Sequence, residues 1–563
     1  MRTFLFNNIK MKKLKLVSLA IAMASAAPTF AGGLLTNTNQ NVAFNRMMSR
    51  EASIGIDGVY YNPAGVVFMG EGHHLSINWQ LAYQTRTIKN DYALFTNNVN
   101  APITPREFKG EAFAPVIPSF QYAYNKGKWS WQANFALTGG GGKCTFDNGL
   151  GSFEKIVSET AMAACGLAGT VDNVLGSALG QQGMQMFSSD QAFGNSGKYS
   201  YDSYMHGRQY YFGLSLGAAY KFNEHFSAFA GVRGVYATCN YYGYVRDIKV
   251  GNMPLYKVLD PSKEDAANIE LSCDQNGIGF TPIIGVDFKT GRWNFSAKYE
   301  FKTRMRLKNK SVNQAPSIGN LADNLAEQMG TTLTQVYTQK YMQAGLPQDQ
   351  AQQKAQMAAV QTSEAVLTNG TVVATMQGLK DQFDTKLEEA IGEYGDGKKI
   401  AADIPAYLTL GAGYSPVDAV RINVGFHWFD DKHATAYNNR NEKLKRGTLE
   451  YNAGVEVDVC KKVTLSTGWQ STNYGLPEED ATTPASARYM DDKSFVTSSN
   501  SAAFGGVYHI NKKMDLNVAY FHTFYKHKKT TEAVQLSAQK SINYSSDYTR
   551  NNNVFAVGLD INF

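Results

Sequence analysis

The chain has 563 residues with 51 Gly, 32 Tyr, 31 Phe and only 15 Pro, and no Pro/Ser-rich linker divides it, so one large domain rich in extended segments is expected. Its 54 Lys and Arg stand against 48 Asp and Glu, an excess that all but vanishes once a basic leader is set aside, which removes any charge argument for a nucleic-acid partner. Past that leader nothing approaches the roughly 18 consecutive apolar residues of a spanning helix, which excludes a helical membrane protein.

Lys12, Lys13 and Lys15 precede an apolar run from Leu16 to Ala27 and a small-residue exit at Thr29-Phe30-Ala31. That is the layout of a secretory signal peptide over residues 1–31, with Met11 the better start and cleavage expected after Ala31. Residues 32–72 then run without alternation through Gly58-Val59-Tyr60-Tyr61-Asn62-Pro63-Ala64-Gly65. Pro63 fixes φ and removes a donor, and Asn62 before it is pushed to extended conformations, so a compact turn is expected there.

From His73 onward the signal has period 2. Leu75, Ile77, Trp79, Leu81 and Tyr83 alternate with Ser76, Asn78, Gln80, Ala82 and Gln84, and Phe555, Val557, Leu559, Ile561 and Phe563 with Ala556, Gly558, Asp560 and Asn562. In 293–306, Trp293, Phe295, Ala297, Tyr299 and Phe301 point one way and Asn294, Ser296, Lys298, Glu300, Lys302, Arg304 and Arg306 the other. A charged face of that kind needs water inside a barrel, and a sheet in hydrocarbon has to close. Segments 73–87, 115–124, 129–138, 208–222, 226–248, 277–288, 293–306, 404–415, 420–430, 448–459, 463–473, 495–510, 514–528 and 551–563 make about fourteen strands, an even number as bacterial barrels require. The fold class is therefore all-β: a membrane-spanning antiparallel barrel, 73–563, with 32–72 as a plug housed in its lumen.

Tight turns at Asn223-Glu224, Cys460-Lys461 and Asn511-Lys512 alternate with long loops at 139–206 and 307–402; the turns should be periplasmic and the loops external. In loop 307–402, Leu321–Met329, Pro347–Val360 and Thr375–Glu393 read as helices punctuated by Gly330, Gly345 and Gly370. Cys144 and Cys165 fall in one loop and Cys239 and Cys273 flank another, so two local disulfides and free thiols stand as alternatives that spacing does not separate.

With leader, position and strand count, Gly58 to Ala64 resembles the N-terminal hatch of the FadL/TodX family of outer-membrane transporters, with its Asn62-Pro63-Ala64 motif. The resemblance covers the mature chain in architecture and residues 32–66 in motif. It implies transport of long-chain fatty acids or other hydrophobic compounds by binding outside, passage to a lumenal site, hatch rearrangement and sideways exit through the wall. It also implies a Gram-negative outer membrane, contact with its lipid and lipopolysaccharide, insertion by the barrel-assembly machinery, and no cofactor.

A fatty acid needs an apolar groove and a cation or donors at its carboxylate. Arg233, Lys298, Lys302 and Arg304 are expected in the lumen, as is the new α-amino group at Gly32; Tyr60, Tyr61 and Phe68 can touch ligand or pack the plug. Gly139-Gly140-Gly141-Gly142, at the expected end of the third strand, is a candidate wall opening because residues without side chains weaken strand pairing. Gly213-Leu214-Ser215-Leu216-Gly217 fits a hydrolase elbow in letters only, since it lies inside an alternating strand. His73-His74 lacks metal spacing on one face, and no metal is assigned. A passive porin and a barrel lipid-modifying enzyme are the rival readings; a plug of about forty residues argues against the first, and no converging Ser/His/acid spacing supports the second. A closed barrel needs no partner to cover an edge, and a monomer is expected.

Overall fold

The computed structural model describes residues 36–180, 185–189, 191–316, 321–484, 487–537 and 540–563; the leader expected at 1–31 and Gly32 lie outside them. Fourteen strands follow in chain order: β1 (Gly72–Tyr92), β2 (Arg106–Lys126), β3 (Trp129–Phe146), β4 (Tyr199–Lys221), β5 (Phe226–Val250), β6 (Ile269–Thr290) and β7 (Trp293–Glu300, continued by Arg306–Gln314). The second half is β8 (Tyr407–Val417), β9 (Val420–Phe429), β10 (Thr448–Cys460), β11 (Val463–Asn473), β12 (Ser499–Asn511), β13 (Met514–Tyr525) and β14 (Lys540–Asn562). Each pairs antiparallel with its neighbours. The ladder from His74↔Asn562 to Tyr92↔Tyr544 joins β1 to β14 and closes the barrel, so no edge is left to pair elsewhere.

Burial alternates along every strand in the inverse of a soluble protein. Ser76, Asn78, Gln80, Gln121 and Asn134 are buried, while Ile77, Trp79, Leu216, Phe280 and Phe504 are exposed. Apolar residues out and polar residues in is the pattern of a barrel that stands in hydrocarbon around a hydrated or plugged lumen. Short turns lie at one end and long insertions at the other. At the loop end several strands outrun the spans expected from alternation: Tyr199–Lys221, Ile269–Thr290 and Lys540–Asn562 all extend well past the apolar band, and the added strand Lys528–Ser537 pairs with the upper part of β14.

The main apolar core lies at that loop end, beyond the short helices α1 (Val42–Met47) and α2 (Gly58–Tyr61) of the N-terminal segment: α3 (Gly151–Leu179) contributes Phe153, Val157, Ala161 and Leu175, and α5 (Leu321–Gln343), which follows the one-turn α4 (Tyr256–Leu259), contributes Leu325, Met329 and Leu333 to the same cluster as the strand tops. α3 starts at Leu150, which has no side-chain oxygen to cap it, and Asp492 from the β11–β12 loop accepts from Ser152 N at 2.7 Å instead. α5 packs beside α6 (Gln348–Leu367), followed by α7 (Gly370–Ile391). The helices expected at Leu321–Met329 and Pro347–Val360 are thus longer than read: Gly330 sits inside α5, whereas Gly345 makes the turn with φ +87. α3 has the length and apolarity of a spanning helix, yet it lies across the barrel top with one face in the core.

Residues 36–71 fill the lumen. Asn41 caps the helix Val42–Met47 by accepting from Ala43 N at 2.7 Å. A short helix, Gly58–Tyr61, and a 3-10 turn, Gly65–Phe68, complete the plug.

Candidate functional site

On the β2–β3 seam the ladder of the barrel wall is interrupted over a long stretch, as it also is between β6 and β7. Ala112 pairs with Cys144 and Ser119 with Ala136, but the residues between them do not pair. The cause is chemical on both sides. Pro115 and Pro118 of β2 have no N–H to donate, and the facing stretch of β3 is Gly139–Gly142, where Gly140 takes φ +68. These glycines stay paired, through two bulges, with β4 on the other flank, so they form a weak place inside a strand rather than the strand end the sequence suggested.

The first described residues of the plug occupy that place. Asn37 donates from its backbone N to Thr138 O at 2.9 Å and from Nδ2 to Leu137 O and Gly140 O, both at 3.2 Å. Gln40 O accepts from Ser119 Oγ at 2.6 Å, on the first residue of β2 below the gap. Two tyrosines hold this segment from behind: Tyr60 Oη donates to Asn37 O at 3.2 Å and Tyr61 Oη to Thr38 O at 2.6 Å. Phe44 stacks on Tyr61 with centroids 5.0 Å apart.

Behind Tyr60 stands a buried charge cluster. Lys298 Nζ donates to Tyr60 O at 2.7 Å and to Glu300 Oε1 at 2.9 Å, and sits 4.0 Å above the Tyr60 ring. Arg233 closes on the other Glu300 oxygen. Two cations thus share the one carboxylate of Glu300 beside Tyr60.

The rest of the plug is fastened to the wall. Asn62 donates to Asp287 at 2.6 Å and accepts from Gly65 N at 3.1 Å; Pro63 O accepts from Gln132 at 2.7 Å, and Ala64 O from Ser227 at 2.7 Å. The Asn-Pro-Ala motif is therefore an anchor at the turn end. On the opposite wall Arg46 pairs with Glu456, and Arg50 reaches Glu456 at 3.0 Å and Asp57 at 2.7 Å. Glu51 binds His427 at 2.6 Å, whose other nitrogen meets Glu450 at 2.8 Å. These contacts are possible because neighbouring strands present Gly411, Gly425, Gly454, Gly468 and Gly505 to the plug. A side-chain carbon there would collide with Glu51 at Gly411 and Gly425, with the Met47 carbonyl at Gly454 and Gly468, and with Arg46 at Gly505.

A FadL homologue from Pseudomonas aeruginosa superposes with a TM-score of 0.51 at 14% identity, covering 97% of this chain and 100% of that one. The chain has the FadL fold. The toluene transporter TodX of Pseudomonas putida aligns with 13% identity over 96% of this chain and 100% of its own, at a TM-score of 0.45, too distant to carry an argument. No protein-family model and no curated protein matches the chain.

Within this FadL fold the residues singled out from sequence divide. Tyr60, Tyr61, Arg233 and Lys298 come together in the lumen. Phe68 packs with Val67, Ala219 and Phe229 at the turn end, holding the plug to the wall. Lys302 and Arg304 are corrections. Lys302 donates to His433 O at 3.1 Å near the surface, and Arg304 is exposed between buried Thr303 and Met305. Pro282 of β6 cannot donate to β7, pairing passes from Ile283↔Glu300 to Asn276↔Lys308 with one extra residue on β7, and the bulge turns Arg304 and Arg306 outward. The cysteines are thiols: Cys144 lies on β3 and not in a loop, Cys165 on α3, and Cys239 and Cys273 on adjacent strands, all four buried.

Sequence reading missed Arg86 and Arg550, register partners on β1 and β14 that both stand over the Phe495 ring, at 4.5 Å and 4.9 Å. Their even numbers in strands with odd positions outward on β1 carried the signal. Also unforeseen are an apolar cavity of about 50 Å³ among Leu167, Val171, Phe187, Leu259 and Leu325 under the loop-end helices, and a polar vestibule of about 740 Å³ below the plug, bordered by Arg50, Arg421, Glu456 and Asp560.

Proposed function

We propose that the protein carries hydrophobic small molecules, long-chain fatty acids foremost, across the outer membrane of a Gram-negative bacterium, with no chemical step. The observation that supports this best is the unpaired stretch of wall at Gly139–Gly142, filled by Asn37 and backed by Tyr60. In this reading the ligand is captured among the external helices. A cavity of about 50 Å³ is well short of the roughly 300 Å³ a drug-sized ligand fills, so those helices part to admit it. The ligand then descends past Arg86 and Arg550 to the charge cluster. A carboxylate arriving at Lys298 and Arg233 competes with Tyr60 for the lysine, Tyr60 lets go of Asn37, and the wall opens sideways into the hydrocarbon while the anchors at Asn62 and Glu51 hold. A passive porin would leave the lumen open, and residues 36–71 occupy it.

The proposed leader would end at Ala31, so that the mature chain would begin at Gly32. The barrel works as a monomer after insertion by the assembly machinery.

A reversible lock tests the route. Asn37→Cys with Thr138→Cys, in a Cys460→Ser background that removes the exposed thiol, sets two thiols across a backbone bond of 2.9 Å, within the reach of a disulfide. Oxidised protein should take up labelled oleate at a small fraction of the reduced rate, at equal surface expression in a transport-deficient strain. Equal uptake in both states would remove the sideways exit, and no uptake by the unsubstituted protein would remove the fatty-acid reading.

A further inference from the structure

The outward face of β7 changes character within one strand. From the turn upward it presents Trp293, Phe295, Ala297, Tyr299 and Phe301; beyond the bulge it presents Arg304, Arg306, Lys308 and Lys310, with Thr303, Met305, Leu307 and Asn309 buried between them. At about 3.3 Å per residue and a tilt near 40°, the apolar part rises about 20 Å, close to the height of a lipid-facing band. The cations therefore begin where hydrocarbon ends, on the side of the long loops. Lys399, exposed on the neighbouring short strand Lys399–Ala401, pairs in register with Lys308 and adds a fifth.

The row is short of counter-charge. Arg306 holds the buried Asp403 at 2.7 Å, while Arg304, Lys308, Lys310 and Lys399 form no ion pair among the described residues; the carboxylates nearest the row are Asp274, facing Lys310 and engaged by Asn240 at 2.8 Å, and Asp396, which accepts from Ser311 N at 2.8 Å. Other outward cations are matched, as in Lys109–Glu111 at 2.7 Å and Arg246–Asp202 at 2.9 Å, and Lys143 and Arg208 on β3 and β4, unmatched among the described residues, do not extend into a row along one strand. Successive outward side chains on a strand stand about 7 Å apart. A row of four at that spacing suits a ligand with several separated phosphates lying against the wall, better than a single small anion.

We infer that this face is a docking site for the phosphorylated headgroup of an outer-leaflet glycolipid, lipopolysaccharide, whose acyl chains lie along Tyr299, Phe301, Ile278 and Phe280 while its phosphates meet Arg304, Lys308 and Lys310. Ile278 and Phe280 of β6 are strongly exposed, at 65% and 67%, and lie at the level of the lowest cations, which joins the apolar and the charged part of the site. The inference rests on the outer-membrane placement proposed above.

The test compares unsubstituted protein with a triple variant, Arg304→Gln, Lys308→Gln and Lys310→Gln, leaving Arg306 on Asp403. Both are purified in mild detergent, the variant's barrel is verified by heat-shifted electrophoretic mobility, and each is titrated with lipid A, dephosphorylated lipid A and inorganic phosphate. The expected result is lipid A affinity about 100-fold weaker in the variant, three cations each acting as a basic residue does beside an anionic lipid surface, with dephosphorylated lipid A binding both proteins alike and inorganic phosphate failing to displace lipid A. Equal lipid A affinity in the two proteins, or displacement by inorganic phosphate at comparable concentration, overturns the inference. Fractionation of the cells separates the two claims: protein found away from the outer membrane defeats the transport reading, while the titration in detergent still decides the site.

Discussion

Lys298 is the residue on which charge, plug and substrate class meet. It touches Glu300, the Tyr60 carbonyl and the Tyr60 ring, so its ammonium both closes the plug and offers a carboxylate a partner. Lys298→Gln keeps a donor of similar reach and removes the charge. Loss of a charge-assisted hydrogen bond of about 1.5–3 kcal/mol should weaken fatty-acid binding roughly 10- to 100-fold, while binding of a neutral hydrocarbon such as toluene stays within about twofold; calorimetry on purified protein reads both. An equal loss for both ligands would mean the lysine only supports the fold. At this scale the sequence was legible where alternation held. The inward direction of Lys298 and Arg233 follows from alternation that holds through their positions, whereas Arg304 and Arg306 point inward only if the same parity is extended past Phe301. Only the partner strand reveals the error, through Pro282 and the missing donor it imposes. Asn62-Pro63-Ala64 was readable as a turn from its backbone restrictions, but its role as an anchor depends on Asp287, Gln132 and Ser227, which lie on three different strands.

The wall beneath the plug is shaped by strands that give up side chains. Gly411 pairs with Gly425 and Gly454 with Gly468, a cross-strand path of bare backbone on which residues 46–52 rest. Gly468→Ala should therefore lift the plug without opening the barrel, since the new methyl collides with the Met47 carbonyl while the ladder to β10 and β12 is untouched. Overpacking of this kind costs about 1–3 kcal/mol, enough to shift the plug's equilibrium. Planar-bilayer conductance should rise and residues 42–52 should become protease-sensitive; Gly234→Ala, whose methyl meets only Phe280 at 3.7 Å, should change neither. Unaltered conductance in Gly468→Ala would show that the plug is held elsewhere. The glycines were visible in the sequence, but a glycine in a strand reads equally as a bulge, a bend or a close approach; what makes these a ledge is their alignment across strands, which register alone supplies. The same holds at the β2–β3 seam, where Gly139–Gly142 drew attention and Pro115 and Pro118 did not, although the gap needs both. Helix α3 lies in a stretch of small residues without a start signal, Leu150 being no cap, so the sequence offers no boundary there; its cap comes from Asp492.

For the molecule as a whole, closure and occupancy are separate achievements. β1 and β14 close the barrel through a ladder that does not involve the plug or the external helices, and the strand Arg306–Gln314 is held by β6 and by Lys399–Ala401, which stand on either side of the α5–α7 insertion. Replacing Leu321–Ile391 with a short Gly/Ser linker should thus leave a heat-modifiable barrel. It removes Leu321, Leu325 and Leu379, three of the thirteen residues that line the apolar cavity, and opens that cavity on one side. If capture among these helices supplies the lumen, uptake at low substrate concentration should fall about tenfold while the maximal rate is kept, because removing binding that precedes passage raises the half-saturating concentration and leaves the slow step alone. A fall in maximal rate would instead place the helices in the gating movement, coupled to the wall through α3, whose N-terminal end sits on the strand tops next to Phe146. Uptake unchanged at every concentration would mean that ligand enters by another path and that the cavity is packing.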